Sequence, residues 1–212
     1  MTERSNPPIS PRKQPQQARS AELVAAILQA AAQVLAQEGA HRFTTARVAE
    51  KAGVSIGSLY QYFPNKAAIL FRLQTDEWQQ TGELLVGILQ NESLPPLERL
   101  RELVHAFLHS ECEEAAMRIA LDDAAPLYRD APEAEQARTF ADPTVHAFLR
   151  EVLPSVDASS RDIAADLFAT TLGTVGKRFS ESPRTADEIA RYAEAMTAMF
   201  RAYFQALEGA AR

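Results

Sequence analysis

Phe43-Thr44-Thr45-Ala46-Arg47-Val48-Ala49-Glu50-Lys51-Ala52-Gly53-Val54-Ser55-Ile56-Gly57-Ser58-Leu59-Tyr60-Gln61-Tyr62-Phe63-Pro64-Asn65-Lys66 reads as two short helices joined by a tight turn, with a third helix starting at Asn65. Thr45 suits an N-cap, where its hydroxyl accepts from the first turn. Val48, Ala49 and Ala52 make one apolar face, and Val54 and Leu59 point back into the same small core. Gly53 supplies the positive φ that the turn needs. Ala49 is small where two helices cross closely. Ordinary helical hairpins use the same pattern, so the outer face decides what the unit does.

That face is small and polar. Ser55, Gly57, Ser58, Tyr60, Gln61 and Tyr62 follow the turn, and no acid lies between Ser55 and Lys66. Small side chains let a helix approach phosphate and base edges, and hydroxyls donate to phosphate. A helix laid in the DNA major groove needs this combination, and a packing hairpin does not. The expectation is a DNA-binding helix-turn-helix.

Thr44-Thr45, Val48-Ala49, Ala52-Gly53-Val54-Ser55, Leu59-Tyr60 and Tyr62-Phe63-Pro64-Asn65-Lys66 together resemble the N-terminal signature of the TetR family of transcriptional regulators. The preceding Ile27, Leu28, Ala31, Leu35 and Gly39 fit it too, so the likeness covers about residues 20–75. The resemblance implies an all-α homodimer with a C-terminal effector cavity, binding a palindrome-like double-stranded DNA operator. It implies backbone contacts from Thr45, Ser55, Ser58, Tyr60, Tyr62 and Lys66, and base-facing positions at Ile56, Gly57 and Gln61. Gln bonds adenine bidentately and Ile meets a thymine methyl. Arg47 is expected to add a phosphate or base contact.

Charge is distributed to match. The chain carries −6 overall, yet residues 1–66 hold eight Lys and Arg against four acids, a local +4. The rest holds fourteen against twenty-four, a local −10. A basic head on an acidic body orients a protein on DNA. At 212 residues and 46% hydrophobic, the chain is long enough to bury a core. No apolar run approaching ~18 residues stands out, so no membrane partner is expected. One cysteine, Cys112, excludes an intramolecular disulfide and suits a reducing cytoplasm.

Three segments are expected: a disordered arm over 1–17, the helix-turn-helix domain over 18–66, and a helical effector-binding and dimerisation domain over 67–212. The arm contains Pro7, Pro8, Pro11 and Pro15, and its Arg12 and Lys13, with Arg19, either reach a minor groove or form an inert tail. Helices are expected over about 18–38, ended by Gly39, and from Asn65 toward Leu89. Another opens at Pro95-Pro96, and two close the chain at about 159–179 and 185–207.

The first of the closing pair carries Ile163, Leu167, Phe168, Leu172, Val175 and Phe179, with Gly173 and Gly176 three apart. The second carries Ile189, Tyr192, Met196, Met199, Phe200, Tyr203, Phe204 and Leu207. Leu172, Gly173, Gly176, Met196, Phe200 and Tyr203 are the candidate dimer interface, a four-helix bundle with a second copy. The alternative is that these helices simply close the monomer core.

Catalytic motifs are absent: no Gly-x-Ser-x-Gly elbow, no phosphate-cradling Gly loop and no His-Glu-x-x-His occurs. No enzymatic activity, cofactor or metal is expected. His105, His109 and Cys112 share a helical face at i, i+4, i+7, which reads as a metal site, effector-pocket lining or an incidental polar face. Candidate effector residues are Trp78, His105, Phe107, His109, Met117, Tyr128 and Phe148, the apolar ones being more often plain core than pocket wall. The competing function is a ligand-binding or adaptor protein on the same scaffold that does not read DNA.

Overall fold

The computed structural model describes residues 9–10, 18–128 and 142–211. Their elements are α1 (Ala18–Arg42), α2 (Thr45–Lys51), α3 (Ile56–Tyr62), α4 (Lys66–Leu89), α5 (Pro96–Glu113), α6 (Ala115–Ala124), a 3-10 turn (Ala125–Leu127), α7 (Asp142–Val152), α8 (Ala158–Ser180) and α9 (Ala186–Ala210). No strand occurs among the described residues, as expected.

Local chemistry sets the boundaries. Gly39 takes φ 74 and breaks α1 where the sequence calls for a stop. Asn65 Oδ1 accepts from Ala68 N at 2.9 Å and starts α4. Pro96 occupies the first turn of α5, where a missing N–H costs nothing. Asp157 caps α8, and Thr185 with Glu188 forms a reciprocal capping box on α9.

The chain divides into two compact units, Met1–Trp78 with Ala116–Arg138, and Gln79–Ala115 with Thr139–Arg212. This corrects the expected boundary after residue 66. Ile69, Leu70 and Leu73 of α4, and Leu121, Ala124 and Tyr128, share one core with Ile27, Leu35, Phe43, Val48, Leu59 and Phe63. The first stretch of α4 and all of α6 but its first residue therefore belong to the first unit. Ile9 is buried in that core as well. The remainder of the expected arm, residues 1–8 and 11–17, lies outside the described residues.

α1 meets the length and composition test for a membrane span over Arg19–Arg42, contrary to expectation. Its apolar stripe is instead consumed by packing: Ile27, Ala31 and Leu35 are fully buried in the first unit.

A polar cluster ties α4 to the segment containing α6. Arg118 Nη2 lies 2.8 Å from Glu77 Oε1. Gln74 Nε2 donates to Glu77 Oε2 at 3.0 Å, and the Tyr128 hydroxyl donates to the Leu121 carbonyl at 3.0 Å. Buried polar groups persist when they satisfy one another in this way.

In the second unit α5 is packed by α7, α8 and α9. Leu100, Val104, Phe107 and Leu108 meet Phe148, Leu149, Phe168, Leu172, Met196, Phe200 and Phe204 in one core. Phe168 and Phe200 join α8 to α9 edge-to-face, with centroids 4.7 Å apart.

Candidate nucleic-acid interface

Thr44, not Thr45, caps α2: its hydroxyl accepts from Arg47 N at 3.3 Å. The shift frees Thr45, whose Oγ1 lies 3.0 Å from the Tyr60 hydroxyl and so joins the start of α2 to α3. Gly53 adopts φ 66 in the turn. Ser55 then caps α3, accepting from Ser58 N at 3.0 Å, and the two serine hydroxyls sit 2.8 Å apart. Leu59 is fully buried and fixes the rotation of α3.

That rotation turns Ser55, Ile56, Gly57, Tyr60 and Gln61 outward, while Ser58 and Thr45 are half-buried. Ile56 is 43% exposed, unusual for a branched apolar side chain with nothing to pack against. Lys66 is exposed at the start of α4. A Cβ on Gly57 would meet only Ser55 Oγ at 3.8 Å, so packing within the protein does not require glycine there.

Two expected members of this face sit differently. Tyr62 is only 6% exposed and belongs to the core, because it lies on the same side of α3 as Leu59. Arg47 pairs with Glu38 and donates to the Arg42 carbonyl at 3.0 Å, tying the end of α1 to α2. It is exposed but committed.

The expected dimer residues need correction as well. Leu172, Met196 and Phe200 are 5% exposed or less and fill the second unit's own core. Gly176 is covered by α5, where an added Cβ would come 2.5 Å from Phe107 Cε1. Tyr203 is half-buried against the same core, and only Gly173 is open. The exposed apolar groups on these helices are Ile163 (63%) and Leu167 (46%) on α8, and Tyr192 (39%) and Met199 (49%) on α9.

The seven expected effector residues are divided between the two units. Met117 and Tyr128 pack in the first unit's core, with Trp78 half-buried at that unit's edge. Phe107 and Phe148 fill the second unit's core. His105 Nε2 lies 3.1 Å from Glu194 Oε1, and exposed His109 lies 3.2 Å from Glu113. Among the described residues no three His, Cys, Asp or Glu are placed to hold a metal ion. Burial raises the Cys112 thiol above its ordinary pKa, with Glu111 adding to the shift.

Comparison with known proteins bears on both halves. Residues 27–73 match the family model described as bacterial regulatory proteins, tetR family, and residues 95–207 match the tetracyclin repressor-like C-terminal domain. Over 83 residues the chain is 37% identical to nucleoid occlusion factor SlmA of Vibrio campbellii, covering 39% of this chain and 42% of that protein. The match thus spans less than half of that relative. The fold resembles the fatty acid degradation regulator FadR of Bacillus halodurans, with TM-score 0.67 and 18% identity over 88% of this chain and 96% of that one. It also resembles Bacillus subtilis FadR solved in complex with stearoyl-CoA, with TM-score 0.65 and 18% identity over 83% and 96% of the respective chains.

Proposed function

We propose, on the premise that this chain belongs to the TetR family of bacterial regulatory proteins, that it is a homodimeric, effector-released repressor acting on a palindromic operator. The observation that carries this reading is the outward face of α3. Ile56, Gly57, Tyr60 and Gln61 are exposed without an acid among them, on a helix held by the Ser55 cap and the Thr45–Tyr60 bond.

In this reading α3 of each subunit enters a major groove. Gln61 and Ile56 face base edges, Gly57 lets the backbone come close, and Thr45, Ser55, Ser58, Tyr60 and Lys66 hold phosphates. Tyr62 and Arg47 act one step back, by positioning α2 and α3. The exposed Ile163, Leu167 and Met199 support pairing through α8 and α9. Two-fold pairing sets the half-sites about one helical turn or more apart.

An effector releases DNA by binding better to a state whose heads no longer fit both grooves, and a useful response needs ~3 kcal/mol of coupling. B. subtilis FadR was solved with stearoyl-CoA, which supports a small-molecule effector here without indicating its kind. Binding and release, with no chemical step, make the protein a non-enzymatic regulator working in the cytoplasm.

The test is selection of bound duplexes from a random pool by the purified protein, beside Gln61→Ala. The reading expects an enriched inverted repeat whose preference relaxes at one symmetric base pair in the variant. Failure to enrich any sequence at low salt would favour the adaptor alternative.

A further inference from the structure

The turn between α8 and α9 borders a crevice of about 790 Å3, within the range of small-molecule sites. One wall is aromatic. Phe179 and Tyr192 stack with centroids 4.2 Å apart and planes 23° from parallel. Tyr192 lines the crevice and remains 39% exposed, a flat apolar surface in reach of a ligand. Val175 and Ala195 continue the apolar lining.

Arg184 is fixed against this wall. Its Cζ lies 4.5 Å over the Phe179 ring, and its Nε donates to the Phe179 carbonyl at 2.9 Å. Those two interactions set the direction of the guanidinium but occupy only one of its nitrogens. Among the described residues no carboxylate comes within ion-pairing distance of it.

The other charges around the crevice are committed. Arg178 pairs with Glu181, and Arg191 pairs with Asp187 at 2.6 Å. Glu188 accepts from Thr185 N at 2.8 Å and from the Thr185 hydroxyl at 2.9 Å. The lining thus contains one oriented guanidinium whose two terminal NH2 groups make no hydrogen bond among the described residues, beside Glu188, whose carboxyl is held below its ordinary pKa by hydrogen bonds from Thr185 and by the charges of Arg184 and Arg191. A guanidinium presenting two parallel donors matches a carboxylate, and an orientation fixed before binding lowers the cost of association.

We propose that this crevice binds a small aromatic monocarboxylate, with its ring against Tyr192, Val175 and Ala195 and its carboxylate bidentate on Arg184. A single carboxylate is specified because the two terminal NH2 groups of Arg184 present one matched pair of donors. A planar ring is specified because Tyr192 offers a face on which aromatic rings stack. The assignment is independent of DNA reading, and of whether the bound acid is the effector.

The test is calorimetric titration of the full chain with 2-naphthoate and with the uncharged 2-naphthalenemethanol. Naphthoate should bind at least tenfold tighter than the alcohol. Arg184→Ala should remove that preference, while Arg178→Ala, which alters an 81% exposed side chain already paired to Glu181, should leave naphthoate affinity within twofold. Because Arg184 also bonds the Phe179 carbonyl, Tyr192→Ser provides a second probe that leaves this bond intact, and it should weaken both compounds about equally. No saturable naphthoate binding, equal affinity for acid and alcohol, or unchanged affinity in Arg184→Ala would each overturn the assignment.

Discussion

Replacing Arg118 by Met should destabilise this protein far more than a change near the end of a short helix suggests. Arg118 and Glu77 are 2.8 Å apart with side chains 15% and 8% exposed, so neither charge has much water to fall back on. Glu77 also accepts from Gln74, itself 8% exposed. Removing the guanidinium strands a carboxylate that burial has already stripped of solvent. Loss of one partner from such a pair costs about 3–5 kcal/mol. Adding Glu77→Gln keeps the shape and the bond to Gln74 but removes the charge. The double variant should therefore lose only about 1–2 kcal/mol, the scale of ordinary buried hydrogen bonds. The coupling between the two changes is then about 2 kcal/mol or more in favour of the double variant. Urea unfolding reads this directly. With a slope of about 2 kcal/mol per molar, Arg118→Met should lower the midpoint by about 1.5–2.5 M, and the second substitution should restore much of the loss. Single-variant losses that add to within ~0.5 kcal/mol would refute the argument that the pair, rather than each side chain separately, holds α4 to α6.

Three further outcomes are expected. Gly176→Ala should cost about 1–3 kcal/mol, because its Cβ would meet Phe107 Cε1 at 2.5 Å, whereas Gly173→Ala, with nothing within 4 Å, should be neutral or stabilising by up to ~1 kcal/mol. Thermal unfolding of the two variants tests this, and equal losses would be inconsistent with the packing. Gly57→Ala should leave the melting temperature unchanged or raised while weakening binding to a selected duplex at least tenfold; unchanged affinity would mean that no close approach of DNA occurs there. Hydrogen bonding from Arg101, with its charge adding to the effect, holds the Glu194 carboxyl below its ordinary pKa. A depressed carboxylate pKa adds stability above the unfolded value, about 4.3, and that stability disappears as pH falls through the folded value. Arg101→Gln should thus reduce stability at neutral pH and match the parent in strong acid, with the Glu194 carboxyl signal titrating at a higher pH by NMR than in the parent, His105 still acting on it.

Much of the head was legible in the sequence because its signals are local. Gly39 and Gly53 sit where the backbone needs positive φ, and Ser55 and Asn65 cap the helices they precede. Thr44 and Thr45 are both competent caps, and only the backbone register gave the role to Thr44. The second unit was less legible. α8 and α9 carry apolar residues around most of their circumference, so periodicity does not say which stripe faces the monomer core. Leu172, Met196 and Phe200 took that stripe, leaving Ile163, Leu167, Tyr192 and Met199 outside. The Glu77–Arg118 pair, the burial of Ile9 and the Arg184–Phe179 contact join residues by folding alone. No local spacing announces them. The domain boundary moved for the same reason: α4 is continuous in sequence, while its side chains serve two cores.

Hydroxyl-radical footprinting of the purified protein on its selected duplex shows whether two copies of α3 read two half-sites. Two protected segments are expected, about one helical turn or more apart, related by a two-fold axis and both weakened by Tyr60→Ala. A single asymmetric patch, or even protection of any duplex that Tyr60→Ala leaves unchanged, would contradict a paired α3 reading two half-sites.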